Sequence, residues 1–421
     1  MEHCMYEPAK QLPCYGSFDV AVIGGGFAGV AAALSAARNG ARTCLMEKEF
    51  ALGGLGTLGL VVDYLPLCDG DGTQLVGGIG EELLKCAGWY GQTNFPDCWR
   101  EEGDLAERKH QRYELTYNPA AMVLAMEELL LNAKVQLFYD TRFCDVLQQD
   151  NTITAICVEN KSGRGAILSK CFVDASGDAD VCYLAGERTA SSDQNVCAWW
   201  FYSESDGQLK LNRKTDNFYK ITPDMPLYSG TRHEDVTALC IETRRRIREL
   251  TNVVNGKGDG IADFTELSQD GTAEVLPQET PDAMYPALLP SIPQYRMTRR
   301  LLGAYELREE DDLCWFDDCI GLTGDWRKRG PRYSIPYRSI CAVKTKNLLT
   351  AGRCISTTES GWDIMRVIPV CAVTGEAAGA AAALAAKHTN GDVHSIDIRE
   401  LQQLLKAQQV ILDPDLFPKE S

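Results

Sequence analysis

No two of the seventeen cysteines are spaced as C-x-x-C. That removes the dithiol of a disulfide reductase and the usual ligand spacing of zinc and iron–sulfur sites. The closest pair, Cys314 and Cys319, reads as two ordinary thiols. Histidine is scarce as well. His3, His110, His233, His388 and His394 form no His-x-His or HExxH group, so no metal site is expected. Positive charge is outweighed, 42 Lys and Arg against 59 Asp and Glu, for a net charge of −17. Such a field repels phosphate backbones and anionic lipid, so neither nucleic acid nor a membrane is an expected partner. The longest run of small apolar residues, 377–386, falls short of the roughly 20 needed to cross a bilayer. The first residues show no basic stretch followed by an apolar one. With an odd, unpatterned set of cysteines, these absences predict a soluble, cytoplasmic chain. No GxSxG, Cys–His–Asn order or paired-carboxylate arrangement supports hydrolysis.

What is present begins with length. A chain of 421 residues exceeds one ordinary core and is expected to form two regions. Residues 19–23 (DVAVI) read as a buried strand, residues 29–39 as an Ala-rich helix closed by Gly40, and residues 41–47 as a second strand: one βαβ unit. Two glycine bursts between 51 and 80 mark backbone threading close to a ligand. A helix is expected from Glu81, a loop over 91–112, a helix from about Pro119, and then a β-meander returning to a strand at 171–175. Residues 190–340 change character, with an aromatic cluster (AWWFY) and prolines at 281, 286, 290 and 293. NLLTAGR (347–353) and the helix over 373–387 return to the first pattern. The expected domains are therefore 1–190 and 341–421 as one dinucleotide-binding unit, with 191–340 inserted as an α+β substrate domain.

The strongest motif is Gly24-Gly25-Gly26-Phe27-Ala28-Gly29, which follows a strand and opens a helix. Gly24 makes the tight turn, Gly26 lets backbone approach a pyrophosphate, and Gly29 lets helix and sheet pack closely. The helix N-terminus offers free N–H groups to the phosphates. Glu47 ends the second strand, where a carboxylate accepts from a ribose hydroxyl.

These pieces also carry a family resemblance. DVAVIGGGFAGVAAALSAARNGARTCLMEK, ALGGLGTLG, FVDASGDADVCYLAG, LLTAGRCIS and RVIPVCAVTGEAAGAAAALA occur in the order seen in FAD-dependent oxidoreductases related to glutathione-reductase-type flavoproteins. They span almost the whole chain, which resembles that family. The resemblance implies a three-layer, Rossmann-like FAD/NAD(P)-binding fold holding FAD. It also implies cofactor contacts at Gly24, Gly26, Phe27, Ala28, Gly29, Glu47 and Lys48. Gly53, Gly54 and Thr57 match the loop near the pyrophosphate and ribityl chain, and Arg142 with Phe143 the segment that meets adenine. Gly177 and Asp178 match the turn after the meander, and Gly352 and Arg353 the turn near the ribityl. Val367 to Gly375 match the helix entry beneath the flavin ring. A second nucleotide motif with strand–helix context is absent, so no separate NADPH domain is expected.

The inserted region supplies substrate candidates. Tyr295-Arg296-Met297-Thr298-Arg299-Arg300 places three arginines within five residues. Such forks bind carboxylate or phosphate; the alternative is an ion-pair network with Glu306, Glu309 and Asp311. The resembling family usually carries glutamate where Met297 stands. Ile335-Pro336-Tyr337-Arg338-Ser339 also matches a family segment, with Tyr337 a candidate proton donor or, alternatively, a buried tyrosine bonded to backbone. Arg366 matches a recurrent family position near the ring. Arg366, Arg338 and Arg299 are thus candidates for orienting substrate, and Tyr337 for proton transfer.

The expected activity is hydride transfer between flavin N5 and a small polar or anionic metabolite, carbohydrate-like compounds included, with an external electron donor or acceptor. The alternatives are reduction of an activated C=C bond, in the manner of fumarate-reductase-type flavoproteins, and service as a FAD-carrying electron-transfer subunit. Oligomeric state is not indicated.

Overall fold

The computed structural model describes residues 5, 7–218, 220–259, 266–267, 275–276 and 281–418. Strand β1 (Cys14–Ile23) leads through a glycine turn to helix α1 (Phe27–Arg38) and strand β2 (Thr43–Met46). Helix α2 (Gly78–Cys86) follows the glycine-rich stretch. Helix α3 (Pro119–Asn132) starts where the Asn118 side chain accepts from the Ala120 and Ala121 amides, with proline in its first turn. Strands β3 (Gln136–Phe138), β4 (Arg142–Gln149), β5 (Thr152–Asn160) and β6 (Gly163–Asp174) come next, then the short α4 (Asp180–Leu184).

The second region holds β7 (Phe201–Ser205), β8 (Gln208–Asn212), α5 (His233–Val254) and β9 (Tyr285–Leu288). The chain then forms β10 (Cys319–Gly324), β11 (Arg332–Pro336), β12 (Leu348–Thr350), α6 (Glu359–Met365), α7 (Ile368–His388) and α8 (Ile398–Ala407).

The main sheet runs β3-β2-β1-β6-β5-β4, with β12 paired to the end of β6. Pairings β3–β2, β2–β1, β1–β6 and β12–β6 are parallel; the meander β4–β5–β6 is antiparallel. This is a mixed α/β fold with a parallel core, as a Rossmann-like FAD-binding domain requires. Strand β6 is longer than the expected 171–175: residues 163–168 close the meander, parallel pairing with β1 begins at Ala166, and the buried end 172–174 lies between β1 and β12. The C-terminal helix likewise begins at Ile368 rather than 373, because Pro369 suits a first helical turn.

Helices α1 and α7 are packed unusually closely. A β-carbon on Gly375 would lie 2.2 Å from the Ala28 carbonyl oxygen, and one on Gly379 would lie 2.1 Å from that of Ala32. Glycine is needed at both positions because even a methyl group would separate the backbones. By length and composition α7 would suit a membrane span, yet most of it is buried inside the protein, which is how an all-round apolar core helix behaves.

In the second region β8-β7-β9 form an antiparallel sheet. Phe201, Ile247, Leu250 and Met284 make a small core between this sheet and α5. The β10–β11 hairpin, assigned by sequence to the insertion, packs instead in the same core as α1 and α7; a β-carbon on Gly321 would meet Val373 at 2.1 Å.

Candidate active site

The first turn is built by steric necessity. Gly24 has φ +101°, and a β-carbon there would sit 2.4 Å from the Ala175 carbonyl oxygen. At Gly26, by contrast, an added β-carbon has nothing within 4 Å. Its missing side chain opens directly onto a cleft of about 370 Å³. Gly53 donates to the Gly25 carbonyl at 2.8 Å, so the glycine-rich loop closes beside the turn. Gly53 and Gly54 both have positive φ, the conformation glycine adopts without cost.

Glu47 is buried, and both its oxygens are engaged: Gly25 N donates to Oε2 at 2.6 Å and Glu49 N to Oε1 at 2.9 Å. The carboxylate thus braces the turn while its edge lines the cleft beside Lys48. Phe27, Ala28, Gly177, Asp178, Gly352 and Arg353 also line the cleft. Arg353 donates to the Tyr295 carbonyl at 2.7 Å and reaches Asp178 at 3.5 Å, and Thr298 Oγ1 donates to Asp178 at 2.7 Å. These bonds tie the turn after β6 to the turn after β12 and to the segment at 295–298.

The far end of the cleft is the start of α7. Val367 is its N-cap, without a side-chain cap, and Ile368, Cys371 and Arg366 line the cleft. Arg366 pairs with Asp363 through Nη2, while its buried Nε has no partner among the described residues. An unsatisfied buried donor of this kind is costly and marks a place for an acceptor.

Some candidates stand elsewhere. The Tyr337 hydroxyl is buried and donates to the Val393 carbonyl at 2.8 Å, so it faces backbone and not the cleft. Arg338 pairs with Asp318 and lies over Tyr305 and Phe316. Arg299 donates to the Asp178 carbonyl at 2.8 Å and pairs with Asp180 at 2.5 Å. Thr57 is buried, with its hydroxyl on the Leu52 carbonyl, and Gly375 serves the α1–α7 contact. Arg142 reaches the cleft, while the Phe143 ring packs against the core on the other face of the sheet. Among the described residues no group of His, Cys, Asp and Glu is arranged to hold a metal. Arg296, quoted by sequence only as one of three arginines, is the member of that motif with no ion pair or hydrogen bond on its guanidinium among the described residues.

The arrangement joins a bare-amide turn, a terminal carboxylate and the uncapped start of a second helix along one cleft. A family model described as FAD dependent oxidoreductase matches residues 19–197 and 187–405. The chain belongs to this family. FAD is its cofactor, and it is an FAD-dependent oxidoreductase; the glutathione-reductase-type subclass does not follow from the match.

The site of this FAD-dependent oxidoreductase fits the cofactor. The open side of Gly26 leaves room for a diphosphate against backbone N–H groups, and Arg366 Nε lacks an acceptor. No curated protein matches the chain. Among solved structures, it is similar to p-nitrophenol 4-monooxygenase PnpA from Pseudomonas putida DLL-E4, at 13% identity over 94% of this chain and 89% of that one, TM-score 0.47. It is also similar to a geranylgeranyl bacteriochlorophyll reductase-like protein from Thermoplasma acidophilum, at 12% identity over 93% and 84%, TM-score 0.45. A third is the open conformation of a flavocytochrome c3 fumarate reductase, at 13% identity over 89% and 79%, TM-score 0.42.

Proposed function

We propose that this enzyme transfers a hydride to or from a small polar or anionic metabolite bound at the α7 end of the cleft. The observation that carries the reading is Arg366, whose buried Nε lacks a partner where the uncapped start of α7 meets the cleft. Gly24 to Gly29, Glu47, Lys48, Gly53, Gly54, Arg142, Gly177, Asp178, Gly352 and Arg353 are the residues that would hold FAD. The bound cofactor supplies the two-electron chemistry, a hydride exchanged at flavin N5. The chain's own part is orientation and charge. The positive end of α7 favours negative charge developing near it, and Arg366, fixed by Asp363, lines the same end of the cleft and adds its positive charge there. Trp362 Nε1 donates to the Arg353 carbonyl at 2.9 Å, which holds α6 and the Gly352 turn in one frame.

The test is anaerobic stopped-flow of the FAD-loaded protein against a panel of hydroxy acids, sugars and sugar acids. Bleaching of the flavin by a member of the panel, with a rate that saturates in its concentration, is expected. If no metabolite bleaches the flavin while NADPH does so at once, the reading as a metabolite dehydrogenase fails and the reductive direction replaces it.

A further inference from the structure

Of the three arginines in the Tyr295–Arg300 segment, two are spent. Arg299 is held by Asp180 and the Asp178 carbonyl, and Arg300 by the Thr357 carbonyl, with Glu306 at 3.7 Å. Arg296 is different. Its guanidinium lies over the Trp200 ring at 5.5 Å and has no hydrogen-bond or ion-pair partner among the described residues. Its backbone is nonetheless firmly placed, because Asn195 accepts from the amides of Arg296 at 3.3 Å and Met297 at 3.0 Å. Trp200 is equally fixed: its amide donates to Gln294 at 2.9 Å and its Nε1 to Thr215 at 3.1 Å. A rigid platform therefore presents a half-buried fork for which the described residues supply no acceptor.

The neighbours decide what is missing. Burial pushes the Arg296 guanidinium down from its ordinary range, and Arg366 and Arg353, both on the cleft, add to this, while the carboxylates of Asp363 and Asp63 oppose it. Arginine keeps its proton in proteins, so this strain is relieved by an anion rather than by deprotonation. Each cation around it already has a carboxylate: Arg366 has Asp363, Arg353 has Asp178, and Arg213 grips Asp63 at 2.8 and 2.9 Å. Of these four arginines only Arg296 has no carboxylate partner among the described residues, so this cluster holds one cation more than it has carboxylates. A planar monoanion satisfies that count and the fork together.

We propose that Arg296, stacked on Trp200, is a substrate-binding residue that takes the carboxylate of a monocarboxylic acid beside Arg366. This rests on the hydride-transfer reading above and narrows its substrate to that class. A dianionic phosphomonoester would leave one charge unmatched.

The test titrates the FAD-loaded protein with acetate, glycolate and benzoate, reading the flavin difference spectrum and tryptophan fluorescence. The same titration is repeated by fluorescence on FAD-free protein. Saturable binding of at least one carboxylate is expected, weakened at least tenfold in Arg296→Gln, less so in Arg296→Lys, with FAD content equal in all three proteins. Equal affinity in wild type and Arg296→Gln overturns the proposal, as does inorganic phosphate at pH 8 binding as tightly as the best carboxylate. No saturable response in the wild type overturns it too. Absence of carboxylate binding in the wild type while a neutral metabolite bleaches the flavin sinks this inference alone. Carboxylate binding with no bleaching of the flavin by any metabolite or by NADPH sinks the hydride-transfer reading alone.

Discussion

The Gly24 carbonyl oxygen stands where a β-carbon of residue 29 would be, 1.8 Å from the ideal position. The first helix therefore packs against its own entry turn through the absence of a side chain. Gly26, three residues earlier, has open space in the same place. Gly29→Ala must push α1 off the turn and is expected to cost several kcal/mol, roughly in the range of severe core overpacking. Gly26→Ala is expected to fold normally and to lose FAD, because its methyl group occupies the cleft. Thermal melting separates the two: Gly26→Ala keeps the melting temperature of the wild-type apoprotein, whereas Gly29→Ala drops it or yields insoluble chain. A Gly26→Ala protein that binds FAD as the wild type does would place the diphosphate elsewhere.

The same pair of glycines explains why this end of the molecule was legible in sequence. Strand, turn, helix and Glu47 are consecutive, so local spacing reports local geometry. The C-terminal helix was legible from its small residues, although its contact with α1 joins residues more than 340 apart in the chain. What sequence could not reveal was which charges are already matched. Arg338 meets Asp318 twenty residues away, Arg299 meets Asp180 across 119 residues, and Arg366 meets Asp363 three residues away. A cluster of arginines looks alike whether it is satisfied or waiting, and only tertiary pairing tells Arg296 from its neighbours. Tyr337 illustrates the same limit: its partner is the Val393 carbonyl, 56 residues on.

Tyr337→Phe follows from that placement. Removing the hydroxyl leaves the buried Val393 carbonyl without this donor, a loss of about 1–2 kcal/mol of stability. The rate of flavin reduction by a productive substrate is expected to stay within about twofold of wild type, since the group does not line the cleft. A large fall in that rate with unchanged stability would restore the tyrosine as a proton donor.

Glu376 gives a pH prediction. It lies inside α7, its Oε2 accepts from the Ile79 amide at 2.8 Å near the start of α2, and its buried Oε1 has no partner among the described residues. Burial pushes its carboxyl up from 4.5 to about 8. Between these values the native state keeps a proton that the unfolded chain has released, so stability falls as pH rises and the penalty is complete above about 8. Glu376→Gln keeps an acceptor for Ile79 and does not titrate. Its stability relative to wild type is expected to rise between pH 5 and pH 8, on the order of 3 kcal/mol. Denaturant melts of both proteins at the two pH values cancel the titration of every other group. A difference that does not change with pH would mean Glu376 is ionised in the native state throughout.

Arg366 offers the sharpest electrical readout, because it stands where the uncapped α7 meets the cleft and its charge is only shared with Asp363. Positive charge near a flavin favours the reduced, more negative form, so its removal must lower the reduction potential. Arg366→Gln leaves Asp363 with Arg327, 3.7 Å away, which limits the disturbance to one charge. The potential of bound FAD is expected to fall by roughly 30 mV, which for a two-electron couple corresponds to about 1.4 kcal/mol. Equilibration with a reference dye measures it in wild type and variant under the same conditions, without any substrate. An unchanged or raised potential would put Arg366 out of electrostatic reach of the ring and would leave substrate binding as the only role its position supports.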